Sequence, residues 1–262
     1  IVNKCKPWEY DVKCLEYHWD SKTALHDNYN VGIWYTDGIV TPPPSVARAL
    51  KKCEEIINSA PGFKAVRWAP DTELNSSIYQ VGSEIYGADH MEEIKKDFAV
   101  SGEPMLKVLG NLISENGVCK PLSVNEWWAI GKRKYDLQQR YLDYYRSFDK
   151  CPDVIIAPVT LMPFRPDENE NMSLNYLVPI NVLNFPSLVV PVTEVDISID
   201  REVDPNSALS EMDRVEMEYW NGLIEDGSIQ GFPVALQVFS PRYKDDEVCK
   251  FGHWLAKELG RL

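Results

Sequence analysis

A chain of 262 residues with 44% hydrophobic and 11% aromatic residues has ample material for a packed core, which excludes global disorder. Its 40 acidic and 27 basic residues leave a formal net charge of −13, a balance that argues against a nucleic-acid backbone or an anionic membrane surface as the main partner. The six cysteines are scattered without a C-x-x-C pair, so no zinc site and no disulfide scaffold is expected, and mostly free, buried thiols in a reducing, cytoplasmic compartment are.

The first residue is Ile1 rather than Met, and the chain runs straight into ordered-looking sequence. A fragment, a processed product or an incomplete reading frame is therefore expected. Residues 1–29 are punctuated and read as irregular, with aromatics that pack onto a neighbouring body. Asn30–Tyr35 reads as a strand and Thr36-Asp37-Gly38 as a turn. Prolines 42–44 then lead into a helix on which Val46, Leu50, Cys53 and Ile57 recur at spacings of 4, 3 and 4. Pro61-Gly62 ends it, and Phe63–Trp68 returns as a second strand, completing a βαβ unit that is right-handed if its strands run parallel.

Residues 72–148 read as a helical insertion. Leu74, Ile78, Val81 and Ile85 share one helix face, and two further helices are expected over 89–98 and 103–113. Ser123-Val-Asn-Glu126 has capping-box spacing and opens a long helix to about Phe148. Three short apolar runs, at 152–163, 187–192 and 232–239, read as strands buried on both faces at the centre of a sheet. Before the second run, Leu174, Leu177, Val178 and Val182 recur at helical spacing. A helix there should start or kink at Pro179, which removes an interior hydrogen bond. Asn181 and Asn184 fall between that helix and the strand, where open α/β sheets usually take ligands. An acidic stretch over 194–206, containing Asp200, reads as a solvated excursion. Charged and amphipathic helices over 208–220 and 245–259 complete the chain, the latter with Val248, Phe251, Trp254, Leu255 and Leu259 inward.

Reactive constellations are absent from this order of elements. There is no G-x-S-x-G elbow, P-loop, dinucleotide-binding G-x-G-x-x-G or H-E-x-x-H. His18, His26, His90 and His253 stand apart and read as surface or packed imidazoles. Asn75-Ser76-Ser77 offers hydroxyls inside an apparent helix, without the glycines that would expose a nucleophile. Asp143, Asp149 and Asp245-Asp-Glu247 read as solvated faces or helix caps.

Five stretches in order carry a likeness. They are Lys6-Pro-Trp-Glu-Tyr-Asp11; Val31-Gly-Ile-Trp-Tyr-Thr-Asp-Gly38 with the following Pro42–Leu50; Asp153-Val-Ile-Ile-Ala-Pro158; Asn181-Val-Leu-Asn-Phe-Pro-Ser-Leu-Val-Val-Pro-Val-Thr193; and Gly231-Phe-Pro-Val-Ala-Leu-Gln237, with Ala235 where the pattern has Gly. Together they resemble the C-terminal half of amidase-signature hydrolases, on the branch of fungal acetamidases, general amidases and fatty acid amide hydrolases. The resemblance implies a single partial domain over 1–262, part of a three-layer α/β/α fold with a mixed central sheet. It also implies a Ser–cis-Ser–Lys triad that cleaves amide C–N bonds without metal or cofactor. In the family those three residues precede the region this chain resembles, so no catalytic residue is assigned here and the chain alone is expected to be inactive. The implied partners are a small-molecule amide and the catalytic N-terminal half, with a homodimer of the full-length protein held open. By position, Tyr176, Leu177 and Ile180 would line the acyl pocket together with Met162; the alternative is that all four are core. A degenerate, non-catalytic paralogue that serves as a binding or structural subunit is the other reading of the whole chain.

Overall fold

The computed structural model describes residues 2–19, 25–105, 109–110, 119–161 and 173–262. The amino-terminal segment holds the short helix α1 (Val2–Cys5) and a 3₁₀ turn at Pro7–Glu9. Its aromatics do pack: Trp8 meets His18 edge-on at 5.5 Å, and the Tyr17 hydroxyl donates to Asp246 at 2.6 Å.

The predicted βαβ unit forms. α2 (Pro44–Ser59) buries Val46, Leu50, Cys53 and Ile57, and its first-turn proline sits where a missing N–H leaves no bond unmade. β1 (Tyr29–Ile33) and β2 (Phe63–Arg67) pair in parallel, from Tyr29 opposite Phe63 to Ile33 opposite Arg67. The insertion that follows is helical. α3 (Thr72–Tyr86) is capped by Asp71, whose carboxylate accepts from the Leu74 N–H at 2.8 Å. α4 (Glu92–Ser101) starts later than read, because His90 and Met91 take left-handed φ of 56° and 54° while Asp89 accepts from the Met91 N–H. The helix expected over 103–113 falls largely outside the described residues, as does the polar loop before 173. α5 (Val124–Arg146) opens with the capping box, Ser123 and Glu126 each accepting from the other's backbone N–H.

The remaining elements are β3 (Val154–Pro158), α6 (Val178–Leu183), β4 (Ser187–Glu194), α7 (Glu211–Glu225), β5 (Pro233–Phe239) and α8 (Asp245–Glu258). The sheet order is β2-β1-β3-β5-β4. β3 runs parallel to β1, whereas β5 is antiparallel to both β3 and β4. This is an α/β fold on a mixed sheet, with α2 packed across it and α8 against β3, β4 and β5.

Three expectations need correction. Strand β4 is not buried on both faces. It lies at the sheet edge and alternates, with Val190 and Val192 buried while Ser187, Val189 and Pro191 are exposed. The interior position beside β3 belongs to β5, the later strand. Asp200 is not solvated: it is 1% exposed, and Arg48 donates to both its oxygens at 2.9 and 2.6 Å. Burial of one carboxylate demands such a partner. Finally, all six thiols are free, but only Cys53 and Cys119 are buried, and Cys5 is exposed.

Candidate functional site

The segment from Ser173 to Phe185 is built from the outside in. Pro179 stands in the first turn of α6, so the helix starts where the proline tolerates it. Asn184 ends the helix in the left-handed conformation at φ 56°. Asn181 is exposed and its amide donates to the Tyr86 hydroxyl at 3.0 Å. Tyr86 ends α3, and α6 packs against that same helix so closely that Gly82 has no room for a side chain: an added Cβ would fall on Val178 Cγ1 and lie 2.8 Å from Val182 Cγ2.

Tyr176 is fully buried and its hydroxyl is used twice. It donates to the Val40 carbonyl at 2.8 Å and accepts from the Asp37 N–H at 3.1 Å. Asp37, 2% exposed, folds the Asp-Gly turn around itself, its Oδ1 accepting from Ile39 N–H and Val40 N–H, each at 2.8 Å. Burial raises the Asp37 carboxyl above its ordinary value, against the lowering effect of those backbone donors and of Asn175. Glu216 on α7 takes the other end of the segment, accepting from Ser173 N–H at 3.1 Å, and burial raises its carboxyl as well. Asp213 beside it accepts from the Thr41 N–H, the Thr41 hydroxyl and the Leu209 N–H. From below, the Gln237 carboxamide donates to the Tyr176 carbonyl at 2.8 Å and the Pro158 carbonyl at 2.6 Å.

The four candidate residues are thus placed differently. Tyr176 and Ile180 are buried, at 0% and 3% exposed. Leu177 is half-buried at the turn before α6. Met162 lies outside the described residues. A cavity of about 230 Å³ opens where β3 ends, lined by Val46, Leu161, Val189, Trp220, Phe232 and Ala235 among others. A larger cleft of about 770 Å³ lies at the other end of the segment, between Tyr17, Trp19, Asn184, Phe185, Arg242 and Tyr243. Neither is lined by Tyr176, Leu177 or Ile180. The residues missed from sequence are those of the smaller cavity and the Gln237 clamp. Their signals are the continuation of the β3 run into Val159-Thr160-Leu161 and the place of Val189, Phe232, Ala235 and Gln237 in the stretches that carry the family resemblance.

Other motifs resolve into structural roles. Asp153 accepts from Asn30 N–H at 2.8 Å and meets His26 Nε2 at 3.1 Å. The His26 imidazole is raised above its ordinary value chiefly by the Asp27 carbonyl, with Asp153 adding to the rise and burial opposing it. Ser76 donates to Thr72 O within its own helix, and Asn75 is 1% exposed. Among the described residues no group of three or more His, Cys, Asp and Glu side chains could hold a metal, and no helix is long and apolar enough to cross a membrane.

Comparison with known proteins is consistent along the chain. The family model described as Amidase matches residues 1–249. A probable amidase of Saccharomyces cerevisiae is 51% identical over 262 residues, covering 99% of this chain and 48% of that protein. An acetamidase of Emericella nidulans is 29% identical, covering 98% of this chain and 47% of that protein. The chain therefore spans about half the length of these curated relatives. Among solved structures, a fatty acid amide hydrolase superposes with a TM-score of 0.81 at 24% identity, over 99% of this chain and 45% of that one.

Proposed function

The chain belongs to the amidase family, and from that premise we propose that it is the pocket-forming part of a serine amide hydrolase that converts a carboxylic amide to an acid plus an amine or ammonia. The observation that carries this reading is the family match over residues 1–249, joined to the absence of any nucleophile motif in the 262 residues. The nucleophilic serine, the bridging cis-serine and the lysine then belong to the half of the protein that the relatives possess and this chain does not span. In that scheme the nucleophilic Ser passes its proton through the bridging Ser to Lys and attacks the carbonyl, whose oxyanion backbone N–H groups hold; collapse breaks the C–N bond as the proton passes to the leaving amine, and water then hydrolyses the acyl-serine ester to free the acid.

The role of the present residues is to receive the acyl part. By the family resemblance Leu177 would present the pocket surface, with Ile180 and Tyr176 as the wall behind it, and Met162, outside the described residues, is carried over on the resemblance alone. Anchoring of Tyr176 through its hydroxyl and its carbonyl supports such a wall, since a pocket must hold its shape before substrate arrives. The catalytic half is the principal partner, a homodimer of the full-length protein the next, and the free thiols accord with a cytoplasmic location.

The test is direct. The genomic reading frame upstream of Ile1 should encode the lysine and the two serines of the triad in frame. The complete polypeptide should turn over short amides and lose that activity to a serine-directed fluorophosphonate, while the 262-residue chain alone should do neither. An initiator Met immediately before Ile1, with no turnover by any form, would instead mark a non-catalytic paralogue. Turnover insensitive to the probe would overturn the serine mechanism.

A further inference from the structure

Gln237 uses every part of its polar inventory that the surroundings can engage. It lies on β5, with Ala157 of β3 on one side and Val189 of β4 on the other, and is 2% exposed. A primary amide has two N–H donors, and both are taken by carbonyls, Pro158 O at 2.6 Å and Tyr176 O at 2.8 Å. Two carbonyl neighbours fix which end of the amide is nitrogen. The oxygen end accepts from the Ser187 hydroxyl at 3.3 Å.

These three contacts join pieces that the chain keeps far apart. Pro158 ends β3 and leads into Thr160 and Leu161 of the smaller cavity; Tyr176 carries Leu177 on its next bond; Ser187 begins β4. We propose that Gln237 is a positioning residue for amide hydrolysis, a side chain that sets the spacing between the Leu177 turn and the end of β3, and with it the length of acyl group accepted, without touching substrate. This rests on the pocket reading given above. No apolar residue of the same volume could do this work. With Met in its place the two carbonyls would be buried without donors, and the segment bearing Leu177 would move to find others.

The experiment uses the complete polypeptide, unsubstituted and as Gln237→Met, Gln237→Glu and Ser187→Ala, with straight-chain amides from acetamide to hexanamide. A small fluorophosphonate reports the serine itself, and circular dichroism reports folding. Gln237→Met should change the ratio of kcat/KM for long over short amides by about tenfold, while fluorophosphonate labelling stays within about twofold. Gln237→Glu should show the same change at neutral pH and a smaller one as pH falls, when the introduced carboxyl gains a proton and can donate to one of the two carbonyls. Ser187→Ala, at an exposed position, should shift the ratio in the same direction by a smaller factor, and it decides the matter if Gln237→Met does not fold. An unchanged ratio in folded variants, or an equal loss for every amide and for labelling, overturns the positioning role. Absence of both turnover and labelling in the unsubstituted protein overturns the amidase reading itself, and this proposal falls with it.

Discussion

A buried hydroxyl stabilises its surroundings only when its hydrogen bonds are made, and Tyr176 makes them to the Asp-Gly turn, which fixes the residue beside it. Leu177 follows on the next bond and is half-buried, and the proposed pocket role makes it the residue to test. Leu177→Ala should therefore raise KM for medium-length amides about threefold to tenfold in the complete enzyme, with little loss of Tm, whereas Tyr176→Phe should lower Tm and leave buried groups unpaired. Asp37 supplies a pH test. Burial raises its carboxyl above the ordinary 3.8, so the stabilisation it contributes is complete below that value and is lost as pH rises through the raised one. Asp37→Asn, which keeps an oxygen for the Ile39 and Val40 N–H groups, should shift the urea midpoint upward at pH 7 and leave it unchanged below about pH 4. Arg48 makes the opposite case. Arg48→Ala leaves the buried Asp200 carboxylate with the Asp196 N–H but without its counter-charge and should cost about 3 kcal/mol in urea unfolding. Neither Asp37 nor Asp200 could be distinguished from a surface acid in the sequence, because the partner of Asp200 lies 152 residues away and no local pattern encodes it.

The elements themselves were far more legible. The spacing of Val46, Leu50, Cys53 and Ile57, the Ser123–Glu126 box and the Pro179 start all act within one or two helical turns, and each appears in the fold as read. Strand position is different, because centre or edge is settled by which strand lies alongside. The Leu-Val-Val run of β4 was read as interior, yet β5, more than forty residues later, takes that place. Two glycines separate local from tertiary effects within helices. Gly131 lies in α5 with nothing within 4 Å of an added Cβ, whereas a Cβ on Gly82 meets Val178 and Val182. Gly131→Ala should stabilise by about 0.5–1 kcal/mol through helix propensity alone. Gly82→Ala gains the same propensity but must force α3 from α6, and should cost about 1–3 kcal/mol overall. Chemical denaturation of the two variants side by side reads the difference, and equal effects would mean that α6 moves freely.

At the scale of the whole molecule, the free edge of β4 and the apolar surface around it govern behaviour in solution. Val189 is 52% exposed and Phe232 43%, and on α5 Trp127 and Trp128 are 48% and 68% exposed. An edge strand of eight residues offers backbone groups ready to pair with another copy, and apolar side chains beside it give such pairing a driving force. The net charge of −13 opposes association through mutual repulsion, which salt screens. The 262-residue chain by itself should accordingly associate, more strongly at 0.5 M than at 0.05 M salt by light scattering. Val189→Lys places a charge at a half-exposed position of the edge strand, on the rim of the smaller cavity, and should reduce that association. The catalytic half, if it covers this edge in the complete protein, should abolish both the salt effect and the benefit of the lysine. A monodisperse monomer of the chain alone, melting cooperatively at either salt concentration, would show that Val189 and the β4 edge need no cover.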